Sequence, residues 1–344
     1  MSRVLVTGGG GFLGKAVVGM LLARGDDVTV LARGDYPDLR QMGAKTLRGD
    51  VADKSITSDA CADKDIVFHV AAKAGVWGRA ADYDSANIEG TQNVIDGCIA
   101  RSVPRLVATS SPSVTFDGRD AANADESLPY PTKHLYHYGR TKAEAERRVL
   151  QANASAHKTG VGVLLTCALR PHIIYGPGDP HILPRLVSRH RQGRLMIVGN
   201  GRNLVDVTYV DNGAHAHLLA ADALDKSGPR AAGKVYFISD GQPVVPWQWM
   251  NQIYAQLGLP ELKRQIPLGA ANALGATLEL VWALLGLAGE PPMTRFLAAQ
   301  LGTSHYYNLA AARRDLGYEP IVTPAIGVQR AVAWLKEELA AGRL

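Results

Sequence analysis

Arg3-Val-Leu-Val-Thr7-Gly8-Gly9-Gly10-Gly11-Phe12-Leu13-Gly14 stands at the start of the chain and decides its fold. Residues 3–7 are apolar and rich in β-branched side chains, which predicts a strand, and a helix over about residues 13–22 follows the glycines. Such a turn brings backbone amides to a phosphate. Gly8 permits the tight turn, Gly11 lets backbone approach a pyrophosphate, and Gly14 lets helix and sheet pack closely. The amides of Phe12 and Leu13 fall at the helix N-terminus, where unpaired N–H groups favour anions. A merely flexible glycine loop would share this composition without needing a strand before it and a helix after it.

Outward from that turn, residues 28–31, 45–47, 66–70, 106–109, 163–169 and 235–238 read as further strands. Helical stretches over 84–99 and 138–151 alternate with them. The alternation predicts an α/β fold: a Rossmann-type parallel sheet with helices on both faces and a smaller, mainly helical C-terminal substrate lobe. Turn residues concentrate over 171–201, while 205–207 and a helix from near Asn212 return to the main body. The expected division is therefore 1–170 plus approximately 203–240 as the dinucleotide-binding domain. Approximately 171–202 plus 241–344 would form the substrate-binding lobe.

The 344 residues are 47% hydrophobic with a formal net charge of +5, enough for a large core and too little charge for a nucleic-acid tail. Cys61, Cys98 and Cys167 are widely spaced and read as buried thiols of a reducing compartment. The first residues lack the segments of a signal peptide, which places the expected protein in the cytoplasm. Residues 267–289 are almost wholly apolar, interrupted by Asn272 and Glu279. Their glycines predict two helical pieces forming a hydrophobic lid, with peripheral membrane contact and a true span as rival readings.

The second strand ends Val30-Leu31-Ala32-Arg33, without the acidic residue that would bind both ribose hydroxyls of NAD. Arg33 is expected to pair with the extra phosphate of NADP, so NADP(H) is preferred over NAD(H). A solvated arginine at a strand end is the bland reading. Asp50 could accept from the adenine amino group, or simply cap a loop. Ala71 and Lys73, after the fourth strand, complete the expected cofactor contacts.

Tyr138-Gly-Arg-Thr-Lys142 places a phenol and an ammonium one helical turn apart, where a cation can favour the phenolate. Ser111 follows the fifth strand, at the carboxyl edge that ligands favour. Ser111 would bind a reacting oxygen, Tyr138 would exchange its proton, and Lys142 would stabilise the phenolate and hold the nicotinamide ribose. Ser110 and Ser113 are local rivals. No metal is expected, because His215 and His217 are two residues apart on a helix and do not converge.

These motifs together resemble the extended short-chain dehydrogenases/reductases, in the branch containing 3β-hydroxysteroid dehydrogenases. The likeness rests on Thr7-Gly8-x-x-Gly11-x-x-Gly14, Thr109-Ser-Ser111, Tyr138-x-x-x-Lys142, Leu169-Arg-Pro-x-x-x-Tyr-Gly-Pro-Gly178 and Val207-Thr-Tyr-Val-Asp211. It implies catalytic roles for Ser111, Tyr138 and Lys142, and a role for Asn87 in maintaining the site. Read alone, Asn87 is a helix cap or polar surface.

A narrower resemblance is to the 2-alkyl-3-oxoalkanoate reductases of bacterial long-chain olefin biosynthesis. It rests on His69-Val-Ala-Ala-Lys73-Ala-Gly-Val-Trp-Gly78, Ser110-Ser-Pro-Ser-Val114, Gly176-Pro-Gly-Asp-Pro-His181 and Glu290-Pro-Pro-Met-Thr-Arg295. It implies reduction of a hydrophobic β-keto acid to the β-hydroxy acid, with β-lactone-forming and thiolase-like pathway enzymes as partners and a homodimer as an admitted state. Trp77, Trp282 and residues 284–287 would surround alkyl chains, and Lys73, His181 or Arg185 would meet a carboxylate. The alternatives are a 3β-hydroxysteroid or sterol dehydrogenase, and a non-catalytic NADP-binding regulatory protein.

Overall fold

The computed structural model describes residues 1–225 and 227–344. Among them, seven strands lie parallel in one sheet: β1 (Arg3–Thr7), β2 (Asp27–Ala32), β3 (Lys45–Arg48), β4 (Ile66–His69), β5 (Arg105–Thr109), β6 (Val163–Pro171) and β7 (Lys234–Ile238). Their spatial order is β3-β2-β1-β4-β5-β6-β7, and a two-residue strand, Ser155–Ala156, pairs antiparallel with β6. β1 and β4 are buried along nearly their whole length, as a parallel sheet covered on both faces requires. Chain order reverses between β1 and β4, where Thr7 pairs with His69. That crevice is where an open α/β sheet receives ligands.

One face is covered by α1 (Phe12–Ala23), with Val17, Val18 and Leu21 fully buried. The short α2 (Pro37–Gln41) follows β2. The opposite face holds α3 (Lys54–Ala60), α4 (Gly90–Ala100) and α5 (His137–Gln151), which bury Ala60, Val94, Cys98 and Val149. α6 (Leu183–Arg191) lies beyond β6. α7 (Val210–Asp222) returns to pack against α1. Residues 205–207 add no strand to the sheet; Val205 makes isolated bridges to Val244 and His305. All three cysteines are buried and free.

The remaining C-terminal region is mainly helical and includes α8 (Leu268–Leu285) and α9 (Arg295–Gly302). The expected two pieces over 267–289 are one continuous helix, which Gly286 ends in the left-handed conformation at φ 59°. Gly275 does not break it. A Cβ there would lie 2.6 Å from the Thr294 carbonyl carbon, so this glycine is a notch that seats α8 on the start of α9. α8 is long and apolar enough to cross a membrane by length and composition, and only 11% of it is buried.

Candidate active site

The glycine turn is built for an anion. Gly8 sits at φ +71°, and a Cβ there would lie 2.7 Å from the Ala71 backbone. A methyl at Gly14 would collide with the Gly8 carbonyl. Gly11 caps α1 without a side-chain hydrogen bond, and the first turn carries no acidic residue. The open amides of Phe12 and Leu13 and the positive helix end therefore fit a dinucleotide pyrophosphate.

Arg33 and Asp50 meet on the neighbouring strand ends. The Arg33 guanidinium lies 3.9 Å from the Asp50 carboxylate, which also accepts from the Ala52 amide at 3.0 Å. Its charge is therefore already faced by an anion.

Behind the turn a buried chain of hydrogen bonds runs across the crevice. The Thr7 hydroxyl meets His69 Nδ1 at 2.8 Å, and His69 Nε2 meets Thr91 at 2.9 Å. Thr91 donates to the Asn87 carbonyl at 2.6 Å, so Nε2 carries the imidazole hydrogen and Nδ1 accepts from Thr7. Burial first, and the Lys142 charge second, pull His69 down to about 3 and keep it neutral.

Asn87 lies in a π-helical turn, Asp84–Glu89, with 1% of its surface exposed. Its side chain accepts from the Lys73 amide at 2.7 Å, donates to the Lys73 carbonyl at 3.1 Å, and donates to Thr141 at 2.9 Å. It ties the loop after β4 to α5 and is neither a helix cap nor polar surface. The extra residue of a π-turn is what re-aims such a side chain inward.

β5 delivers Ser111 and α5 delivers Tyr138 and Lys142. Ser111 Oγ accepts from the Ser113 amide at 3.2 Å. Burial pushes Tyr138 above the ordinary phenol range, the nearby Ser111 hydroxyl opposing it, so the phenol is neutral and carries a proton. Lys142 is buried and donates to the Thr109 carbonyl rather than to Tyr138. Burial draws its ammonium down to about 8, and the Glu146 carboxylate one turn further along resists that fall. Ser110 is buried with its hydroxyl unpartnered among the described residues, and the rival role is not supported by contact with the phenol.

A cavity of about 840 Å³ opens beside Tyr136, whose ring centroid is 6.0 Å from that of Tyr138. Trp77, Tyr136, Leu280 and Phe296 give it an apolar lining. The expected wall at 284–287 is corrected: Leu284 and Leu285 are 75% and 68% exposed, because the helix turns Ala276, Leu280 and Ala283 toward the cavity instead. The expected carboxylate cations do not converge there either. Arg185 is paired with Glu290 at 2.7 Å, Lys73 faces Asp82 at 3.9 Å, and the His181 amide is bound to Asp179. Lys133 and Arg140 line the cavity instead. Among the described residues no cluster suited to a metal occurs.

The site roles of Glu146 and His69 are not marked in the sequence reading. The four-residue spacing from Lys142 to Glu146 was a usable signal, whereas nothing local marks the part His69 plays. Tyr36 lays its ring against Gly10 and Gly34 of the nucleotide turn.

Comparison with known proteins places these features in context. A model of the 3-beta hydroxysteroid dehydrogenase/isomerase family matches residues 5–268. The 2-alkyl-3-oxoalkanoate reductase of Stenotrophomonas maltophilia (strain K279a) is 48% identical over 331 residues, covering 95% of this chain and 98% of that protein. The protein of the same description from Shewanella oneidensis is 45% identical over 335 residues, covering 97% and 87%. Among solved structures, MoeE5 in complex with UDP-glucose and NAD is 27% identical, with a TM-score of 0.71 and coverage of 98% and 99%. NAD is also the dinucleotide of MoeE5 with UDP-glucuronic acid. The dinucleotide of these neighbours is NAD, which contradicts the expected NADP preference, and Arg33, the residue that suggested it, faces Asp50 at 3.9 Å.

Proposed function

We propose a reaction on the premise that the chain belongs to the 3-beta hydroxysteroid dehydrogenase/isomerase family and is an oxidoreductase on a Rossmann-type fold. The reaction is the NAD(H)-linked reduction of a hydrophobic 2-alkyl-3-oxoalkanoate to the 2-alkyl-3-hydroxyalkanoate, a step of olefin biosynthesis. The observation that carries it is the neutral Tyr138 phenol, set near the Ser111 hydroxyl and beside the apolar cavity.

Gly8, Gly11, Phe12, Leu13 and Gly14 would hold the pyrophosphate, Asp50 the adenosine side, and Lys142 the nicotinamide ribose. When bound, the dinucleotide supplies a hydride to C3 of the substrate. Ser111 holds the C3 oxygen and stabilises the charge that gathers there. Tyr138 gives that oxygen its proton, and the C3 ketone becomes an alcohol. The Lys142 ammonium stabilises the phenolate left behind, and solvent then restores the phenol. Asn87 acts through Thr141 and Lys73 as a positioning residue. Trp77, Tyr136, Leu280 and Phe296 would receive the alkyl chains, each buried methylene contributing about 0.8 kcal/mol. Lys133 offers positive charge to the carboxylate, while Arg140 is already paired with Asp84.

The product places a hydroxyl β to a carboxylate, the arrangement a β-lactone-forming enzyme requires. The exposed Leu284 and Leu285 support peripheral contact of α8 with a membrane by a protein that otherwise resides in the cytoplasm.

The test is oxidation of stereochemically defined 2-alkyl-3-hydroxyalkanoates with NAD⁺, beside sterols at matched soluble concentration. The hydroxy acid is the better substrate because the keto acid loses carbon dioxide spontaneously. Turnover of the branched acids supports the assignment. Faster turnover of a sterol, or none of any branched acid across chain lengths, overturns it.

A further inference from the structure

The irregular loop that leaves β4 carries Val76 and Trp77 into the wall of the cavity. Two glycines permit its path. Gly75 at φ 127° and Gly78 at φ 141° lie where any other residue is strained. Both close on one side chain. A Cβ at Gly75 would fall 3.0 Å from the Tyr83 hydroxyl, and one at Gly78 would fall 3.4 Å from Cε2 of the same ring. Tyr83 is 1% exposed, and its hydroxyl donates to the Trp77 carbonyl at 3.0 Å. The loop is wound around a buried phenol.

That phenol is held from behind. Tyr83 ends a short helix, Ala80–Tyr83, which runs straight into the π-helical turn that aims Asn87. One helical run thus fixes the loop twice, at Lys73 through Asn87 and at Trp77 through Tyr83. The Lys73 ammonium lies 5.3 Å from the centre of the Tyr83 ring, and the ring of His137, the neighbour of Tyr138, lies 6.1 Å away. Burial, aided by the Glu290 and Asp82 charges, holds Tyr83 above the ordinary phenol range, so the donor keeps its proton. Filling the space would need only a phenylalanine. The hydroxyl serves the carbonyl of the residue that carries the indole.

We propose that Tyr83 is a positioning residue for the alkyl chains of the substrate, its hydroxyl fixing the backbone of Trp77 and with it the indole wall of the cavity. The inference rests on the substrate reading given above. Without the hydroxyl, the part-buried Trp77 carbonyl loses its donor and turns toward water, and the indole moves with it. A displaced indole forfeits apolar contact with a long chain, because so large a ring carries much of the area buried there. Tyr83 takes no part in moving the hydride or the proton, so its contribution lies in affinity.

Calorimetric titration of the NADH-loaded, full-length protein with 2-hexyldecanoate, a branched carboxylate that has no hydroxyl to oxidise, tests this without turnover. Beside it, kcat and KM are measured for branched hydroxy acids of increasing chain length. We expect Tyr83→Phe to weaken the probe and raise KM about fivefold, the scale of one hydrogen bond, while kcat and its pH profile hold. The loss should grow with alkyl length and disappear in the Trp77→Ala background, where the wall it positions is gone. Unchanged affinity in Tyr83→Phe overturns the assignment. So does a loss confined to kcat, a loss equal at every chain length, or one that persists undiminished without the indole. If the unaltered protein neither binds the probe nor turns over any branched acid, the substrate reading falls and this inference falls with it. Thermal unfolding of each variant separates a moved wall from a lost fold.

Discussion

Replacing Glu146 with Gln perturbs two things that the structure joins. The Glu146 carboxylate receives Arg170 Nη2 at 2.5 Å, Arg170 Nε at 2.9 Å and the Tyr130 hydroxyl at 2.6 Å. Both side chains of the ion pair are at most 2% exposed. Glutamine keeps the volume but removes the charge, and it turns an amide toward a buried guanidinium. Breaking one partner of a buried pair costs about 3–5 kcal/mol, which a urea titration reads directly. The second effect lies one turn back along α5. Lys142 is drawn down to about 8 by burial, with Glu146 supporting its charge. Without the carboxylate its pKa falls below that value. Depression of a cation means the charged form is lost as pH rises through the folded pKa, so activity that needs the ammonium must fade at lower pH than before. The assay is the pH dependence of kcat/KM for hydroxy-acid oxidation, with the alkaline limb compared between variants. If stability falls while the alkaline limb stays in place, Glu146 is structural and the proposed electrostatic link to Lys142 is wrong.

Four further outcomes are expected. Tyr138→Phe removes the proton donor and should lower turnover on the order of 10²-fold or more while dinucleotide affinity, read by fluorescence, changes little; near-normal turnover refutes the role. Asn87→Ala removes three side-chain hydrogen bonds and should accelerate hydrogen exchange at the Lys73 amide, with about 2–3 kcal/mol of stability lost. Undiminished protection of that amide would show that the loop does not depend on Asn87. Gly14→Ala drives a methyl into the Gly8 carbonyl and should abolish NADH binding, so retained affinity would contradict the turn geometry. Leu284→Ser with Leu285→Ser should leave thermal unfolding nearly unchanged, since both are exposed, and reduce sedimentation with anionic lipid vesicles; equal sedimentation removes the case for membrane contact.

Much of the sheet was legible because parallel strands buried on both faces read as short apolar runs. Residues 3–7, 106–109 and 235–238 carry that signature, and the observed β1, β5 and β7 overlap them closely. The short pairings around Val205 and Thr208–Tyr209 were not legible, because two-residue contacts leave no period to read. α8 misled for a specific reason. Glycine ordinarily weakens a helix, and only the opposing Thr294–Arg295 backbone reveals Gly275 as a packing notch. At the site, the spacing of Tyr138 and Lys142 predicted a shared helix face but not the partner of the ammonium, which is a carbonyl on another element. The inward turn of Asn87 depends on a π-helical residue insertion, which propensity does not encode. Arg33 shows the opposite failure. Its residue type was informative, but Asp50 lies seventeen positions away and faces it only once β2 and β3 are paired.

The notch at Gly275 separates two inheritances. Ser111, Tyr138 and Lys142 hang from β5 and α5, whose positions are fixed by the buried sheet. Leu280 and Ala283 hang from a mostly exposed helix held to the body at Gly275 and by the Glu279–Arg295 pair. Substitutions beyond the notch alter the width and length of the cavity without disturbing the strands that carry the reaction. The carbon skeleton a cavity accepts can therefore be changed apart from the chemistry, and an engineer seeking a new chain length should begin at Ala276, Leu280 and Ala283.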